Sequence, residues 1–144
     1  MKTPFDPPDL APTPEDIEGI TKTSRDYIEG WYTADEQRMR SCLHPDLVKR
    51  TITHDPQQGS AWKLSRPLDA EMMAGRTRAG GGSDVPEPDR TQHITILDVF
   101  RHVASVKVLS HSYVDYLHIA KFDARWLIVH GLWELRQGEL APRA

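Results

Sequence analysis

With 144 residues, the chain can bury a core without disulfide or metal staples, and it is short enough for one domain. Its 18 Lys and Arg against 21 Asp and Glu leave a net charge of −3, so no basic field is present to hold nucleic acid or an anionic membrane surface. The single cysteine, Cys42, excludes an internal disulfide and fits a reduced, cytoplasmic setting.

Four prolines (Pro4, Pro7, Pro8 and Pro12) fall in residues 1–12. They remove backbone donors and disfavour helix, which predicts an extended N-terminal arm whose Phe5 and Leu10 can dock on the domain. The arm has no apolar run and does not read as a signal peptide. The longest apolar stretches, such as Trp126-Leu127-Ile128-Val129, have strand length and are too short to cross a bilayer. The domain is expected over 13–136, followed by a C-terminal tail at 137–144.

Thr13-Pro14-Glu15-Asp16 reads as a helix start: Thr13 caps, Pro14 suits the first turn, and the two acids favour the positive end of the dipole. Ile17, Ile20, Ser24, Tyr27, Ile28 and Trp31 recur at helical spacing, with Arg25, Asp26 and Glu29 mostly on the opposite side. Gly19 and Gly30 weaken this helix, so tertiary packing must hold it; it should end near Tyr32. A short helix restarts at Thr33-Ala34-Asp35-Glu36, with Met39, Cys42 and Leu43 inward. His44-Pro45-Asp46 is expected to stop it and turn the chain. Leu47–Ile52 and Ala61–Leu64 read as short strands flanking a polar loop. Ser65-Arg66-Pro67 opens a further helix with Leu68, Met72 and Met73 on its apolar side. Residues 79–90, with Gly80-Gly81-Gly82 and two prolines, read as a hinge or mobile loop.

From Thr91 the apolar period becomes two. Strands are predicted at Gln92–Phe100, Val103–Ser110, Tyr113–Phe122 and Arg125–Leu135. The turns fall at Arg101-His102, His111-Ser112 and Asp123-Ala124, giving an antiparallel meander. Counting outward from the last turn pairs Lys121 with Trp126, Ile119 with Ile128, Leu117 with His130 and Asp115 with Leu132. That places Asp115, Leu117, Trp126 and His130 on one face. The same count from Arg101-His102 puts His93, Thr95, Leu97, Val99, Ala104, Val106 and Val108 on the helix-facing side. Neither sheet face is fully polar, so helices should cover one and a second subunit the other, as a homodimer.

The closing run, with Asp115-Tyr116-Leu117 followed by Lys121-Phe122-Asp123-Ala124-Arg125-Trp126-Leu127-Ile128-Val129, resembles the D-Y-L…K-x-D-G-x-W-x-I-V ending of the putative lumazine-binding family. Ala124 stands where that family commonly has glycine. The family belongs to the nuclear transport factor 2-like (SnoaL-like, cystatin-like) superfamily, and the resemblance spans roughly Asp16 to Leu135. It implies an α+β fold: a cone-shaped α+β barrel whose curved, mostly antiparallel sheet wraps a long N-terminal helix and two shorter ones. A pocket at the open end is implied as well. Superfamily relatives include isomerases, epoxide hydrolases, dehydratases, cyclases and non-catalytic transport factors, many of them homodimers, so the fold alone assigns no activity.

Asp115 and His130 are the candidate catalytic pair. An acid and an imidazole diagonal to each other on one face can tune each other for proton transfer; the plain alternative is a structural hydrogen-bonded pair. If the implied pocket is present, His93 and Thr95 reach it from the neighbouring hairpin. Trp31 and Tyr32 reach it from the end of the long helix, where Tyr32 could donate to a ligand oxygen. Met72, Leu117 and Trp126 complete the candidate wall, Trp126 chiefly by packing, while Tyr27 reads as core with a satisfied hydroxyl. No H-x-H, HExxH or CxxC spacing suggests a metal, and no P-loop or G-x-S-x-G is present. Three readings stay open. One is a cofactor-free acid–base enzyme on a small apolar metabolite (isomerase, dehydratase, cyclase or hydratase type). The second is a non-catalytic carrier with the same pocket, and the third is an interaction module using the outer sheet face.

Overall fold

The computed structural model describes residues 11–59 and 61–136. The arm with Phe5 and Leu10, and the tail at 137–144, lie outside them.

Helix α1 (Pro14–Thr33) begins with a reciprocal capping box. The Asp16 amide donates to Thr13 Oγ1 at 3.1 Å and the Thr13 amide to Asp16 Oδ2 at 3.4 Å, which satisfies donors the first turn would otherwise strand. The helix ends at Ala34, which takes a left-handed conformation. It buries Ile20, Ser24, Tyr27, Ile28 and Tyr32. Its glycines have a packing reason: a Cβ on Gly19 would lie 2.6 Å from the Trp126 ring, and one on Gly30 would lie 3.2 Å from the Met39 amide. Helix α2 (Glu36–Cys42) is capped by Asp35. Asp26, assigned by sequence to the outer side of α1, is instead nearly buried, because Arg38 of α2 folds over it at 2.9 Å.

Six strands follow: β1 (Leu43–His54), β2 (Trp62–Leu64), β3 (Gln92–Phe100), β4 (Val103–Ser110), β5 (Tyr113–Phe122) and β6 (Arg125–Leu135). They form one open sheet in the order β2-β1-β6-β5-β4-β3, antiparallel except for the β1–β6 pair. The meander of β3 to β6 has the predicted bounds. His44-Pro45-Asp46 does not end the secondary structure before the first strand. It bulges inside β1, between the Leu43–Ile128 and Val48–His130 pairings. Pro45 has no amide to give a ladder, and the Asp46 amide donates to His44 Nδ1 instead.

The middle helix, α3 (Ala70–Arg78), starts later than Ser65-Arg66-Pro67 predicts. Asp69 is its cap, accepting from the Met72 amide at 2.8 Å. Leu68 is not helical; it exchanges two backbone hydrogen bonds with Lys49 of β1. Residues 79–90 are tied down rather than free: the Gly82 amide donates to the Trp31 carbonyl, and Arg90 grips the Val85 and Ser83 carbonyls. Gly81, at φ +51, passes so close to Trp31 that a Cβ there would lie 2.5 Å from its carbonyl oxygen, so the glycines serve contact as well as turning.

The three helices pack on one face of the sheet, over a core that includes Ile20, Met39, Val106, Val108, Leu117, Ile119 and Ile128. No helix among the described residues is long and apolar enough to cross a membrane. Two β-bulges decide which side chains reach that core. In β3 the register shifts between Ile96 and Asp98, leaving Leu97 extra. In β6 it shifts opposite His118 and Ile119, leaving Val129 extra. Each bulge carries the residues beyond it to the opposite face.

Candidate functional site

The bulge at Val129 separates the expected catalytic pair. Beyond it Leu117 faces Gly131 and Asp115 faces Trp133, while His130 pairs with His118. Asp115 is buried on the helix side and His130 is exposed on the outer side. The bulge at Leu97 does the same to the neighbouring hairpin. Ile94 and Ile96 turn inward opposite Val108 and Val106, and His93 and Thr95 are exposed.

Asp115 gains other partners. Tyr27, from the middle of α1, donates its hydroxyl to Asp115 Oδ1 at 2.9 Å. Lys49, from β1, donates Nζ to the same Tyr27 oxygen and stands 3.4 Å from Asp115 Oδ1. Its Nζ also lies over the Tyr27 and Trp133 rings, at 5.0 and 5.7 Å from their centroids, and 3.8 Å from Met73 Sδ. Lysine, tyrosine and aspartate thus form a buried hydrogen-bonded chain tying α1 to two strands. Burial pulls the Lys49 ammonium below its ordinary pKa against the opposing pull of Asp115. Burial, reinforced by Asp115, pushes the Tyr27 phenol well above its usual range, so it is a neutral donor at physiological pH.

This chain forms part of the wall of a cavity of about 30 Å³, room for one or two waters. Trp31, Tyr113 and Trp133 supply aromatic wall, Met73 and Leu68 aliphatic wall, and Arg76 a second positive charge. The rings run edge to face, Trp31 on Tyr113 at 6.4 Å and Tyr113 on Trp133 at 5.1 Å. Trp133 Nε1 is buried without a hydrogen-bond partner among the described residues, a donor left open beside the lysine.

Asp115 and Trp31 are the sequence candidates that reach this cavity. The Tyr32 hydroxyl is spent on backbone, donating to the Thr91 carbonyl and accepting from the His111 amide, both at 2.8 Å. Met72 is exposed, and its neighbour Met73 takes the wall position. Leu117 is buried in the core, and Trp126 packs against Gly19. Sequence reasoning missed Lys49 as a site residue; Tyr27 is core with a satisfied hydroxyl, as expected, and it also lines the cavity. In β1 the more apolar alternate set, Val48 and Ile52, faces out, whereas Leu47, Lys49 and Thr51 face in. No local signal in β1 marks Lys49 as inward; its backbone pairing with Leu68 is visible only in the folded chain.

The putative lumazine-binding family description matches residues 15–134. Among solved structures, the chain is similar to an NTF2-like protein of unknown function from Methylobacillus flagellatus, with 20% identity and a TM-score of 0.68 over 88% of this chain and 97% of that one. An NTF2-like protein of unknown function from Shewanella baltica gives 16% identity and 0.62, covering 85% and 94%. A ketosteroid isomerase-like protein from Erwinia carotovora atroseptica gives 12% and 0.57, covering 86% and 98%. At these identities the likeness establishes the fold. No match is found among curated proteins.

Proposed function

The chain belongs to the putative lumazine-binding family, and we propose that its Lys49–Tyr27–Asp115 cavity binds a small carbonyl-bearing molecule and performs cofactor-free acid–base chemistry on it. The observation that carries this reading is the buried hydrogen-bonded chain of three ionisable side chains at a cavity wall, next to an open indole donor. Burying charge is costly, and perturbed groups converging on a cavity are a signature of proton-transfer sites. The ligand class follows from the lining: Trp133 Nε1 offers a neutral donor to a carbonyl oxygen, Lys49 places a titratable amine beside it, and the aromatic rings favour a flat body. The family description names lumazine, a flat carbonyl-bearing heterocycle of that class.

In this reading Lys49 meets the ligand, Tyr27 relays and Asp115 stores the proton. As a Lys49 proton passes to the Tyr27 oxygen, the phenol proton passes to Asp115, which leaves a neutral amine facing the cavity. The amine takes a proton from the carbon next to the carbonyl and returns it elsewhere on the ligand, so an isomerisation closes with no net proton change. Admission of anything larger than water requires the wall to open, and Met73 and Arg76 are its long, flexible members.

A thermal-denaturation screen with lumazine and a series of cyclic ketones tests binding. Wild type should be stabilised by at least one compound and Lys49→Met by none. Absence of a shift across the whole series overturns the site. Solvent deuterium appearing in the bound ketone separates a catalyst from a carrier.

The outer sheet face supports a homodimer. Phe100, Val103, Tyr116, Phe122 and Leu132 all stand on it more than 40% exposed, an apolar area that a second copy would cover. The face carries both signs of charge, Arg50 and Lys107 with Asp98 and Glu134, which a two-fold contact between copies can pair.

A further inference from the structure

The bulge that takes His130 away from Asp115 sets it opposite His118, on the two central strands of the sheet. Their Nδ1 atoms are 3.4 Å apart, with ring centroids 5.6 Å apart and planes at 72°. Two unprotonated ring nitrogens cannot face each other at that distance without repulsion, so the pair holds either a proton or a cation between them. With metal–nitrogen bonds of about 2.0–2.1 Å, the edge of a tetrahedron is about 3.3 Å, which matches the observed separation. The pair borders an open outer groove of about 390 Å³, with Asp98, Ser105, Phe100 and Val103 beside it.

We propose that His118 and His130 form a two-histidine half-site for a divalent transition-metal ion, completed by the same pair from a second copy docked through the outer face. Among the described residues, no group of three His, Cys, Asp or Glu could hold a metal, so one chain supplies two ligands and leaves half the tetrahedron open. The pair lies on the two central strands, and in a two-fold contact through this face a central residue meets its own counterpart; imidazole suits zinc, cobalt, nickel or copper. The inference rests on the reading of the outer face as the contact between copies.

Titration of the full chain with Co²⁺, followed by visible absorption, together with sedimentation in Co²⁺ and in EDTA, tests both. The expected result is one ion per two chains with the intense spectrum of four-coordinate cobalt. His118→Asn and His130→Asn should each lose that spectrum yet sediment as dimers in EDTA, because the apolar face is untouched. A dimer in EDTA that takes up no cobalt, or one whose cobalt spectrum survives both substitutions, overturns the metal site and leaves the dimer standing. A six-coordinate spectrum at one ion per chain overturns completion by a second copy. A chain that is monomeric in both media overturns the docking reading and this inference together.

Discussion

Lys49 is the residue whose surroundings contrast most with its chemistry. It is 7% exposed, and its charge is balanced by one carboxylate, held partly through a phenol. Removing one partner of such a pair strands the other, so Lys49→Met should cost about 3 kcal/mol in a urea denaturation. Lys49→Met combined with Asp115→Asn should recover much of that loss and still fail to bind ligand, which separates the structural role from the proposed chemical one. Tyr27 gives a pH test. Its folded pKa lies above the unfolded value of about 10, so the folded state holds the extra proton and stability falls as pH rises past 10. Lys49 acts in the opposite sense: its folded pKa is depressed, so its penalty is full below that folded value and fades as pH climbs from there toward the unfolded value near 10.5. In ultraviolet titration one of the four tyrosines should resist ionisation until the protein unfolds, and Tyr27→Phe should remove that resistant fraction.

Among the elements, α1 owes its position to contacts that its own sequence weakens. Gly19 costs helix propensity but lets the Trp126 ring lie against the backbone. Gly19→Ala should therefore destabilise by about 1–3 kcal/mol through overpacking, although alanine is the better helix former; a fall in melting temperature checks the sign. The α1–α2 junction hangs on Asp26 between Lys22 and Arg38, at 2.7 and 2.9 Å. Burial raises the Asp26 pKa, but the two cations outweigh it and hold the carboxyl below 3.8. Its contribution is complete above pH 3.8 and disappears as pH falls through the lower folded value, so Asp26→Asn should flatten that part of the acid limb. The single-residue bulges in β3 and β6 follow the same lesson. Strand bounds were legible from alternation, yet one extra residue in each strand decided which side chains meet. That is why Asp115 was found in the sequence and its true partners were not.

For the molecule as a whole, the described residues leave the sheet with one face under helices and one bare, and the two proposals divide between them. The cavity chemistry belongs to the covered face, where low dielectric strengthens the Lys49–Tyr27–Asp115 chain. Association belongs to the bare face. Leu132, half exposed beside the His118–His130 pair, is the position to probe: Leu132→Glu should turn a dimer into a monomer in sedimentation, leaving the melting of the monomer's own core little changed. A wild-type chain that is monomeric at high concentration would remove the homodimer from this account.

The sequence by itself determined the class of fold, the capped long helix, the four-strand meander and the family, because periodicity, caps and turns are local signals. It also showed that both sheet faces carry apolar side chains. Only the tertiary structure decided which residues share the cavity. Lys49, Tyr27 and Asp115 lie far apart in the chain, and their meeting depends on a parallel β1–β6 pairing and on bulges that follow no local period. Val48 and Ile52 look like the inward set of β1, yet the bare face takes them and the helix side takes Lys49, a choice set by the whole sheet's register rather than by the strand's own pattern.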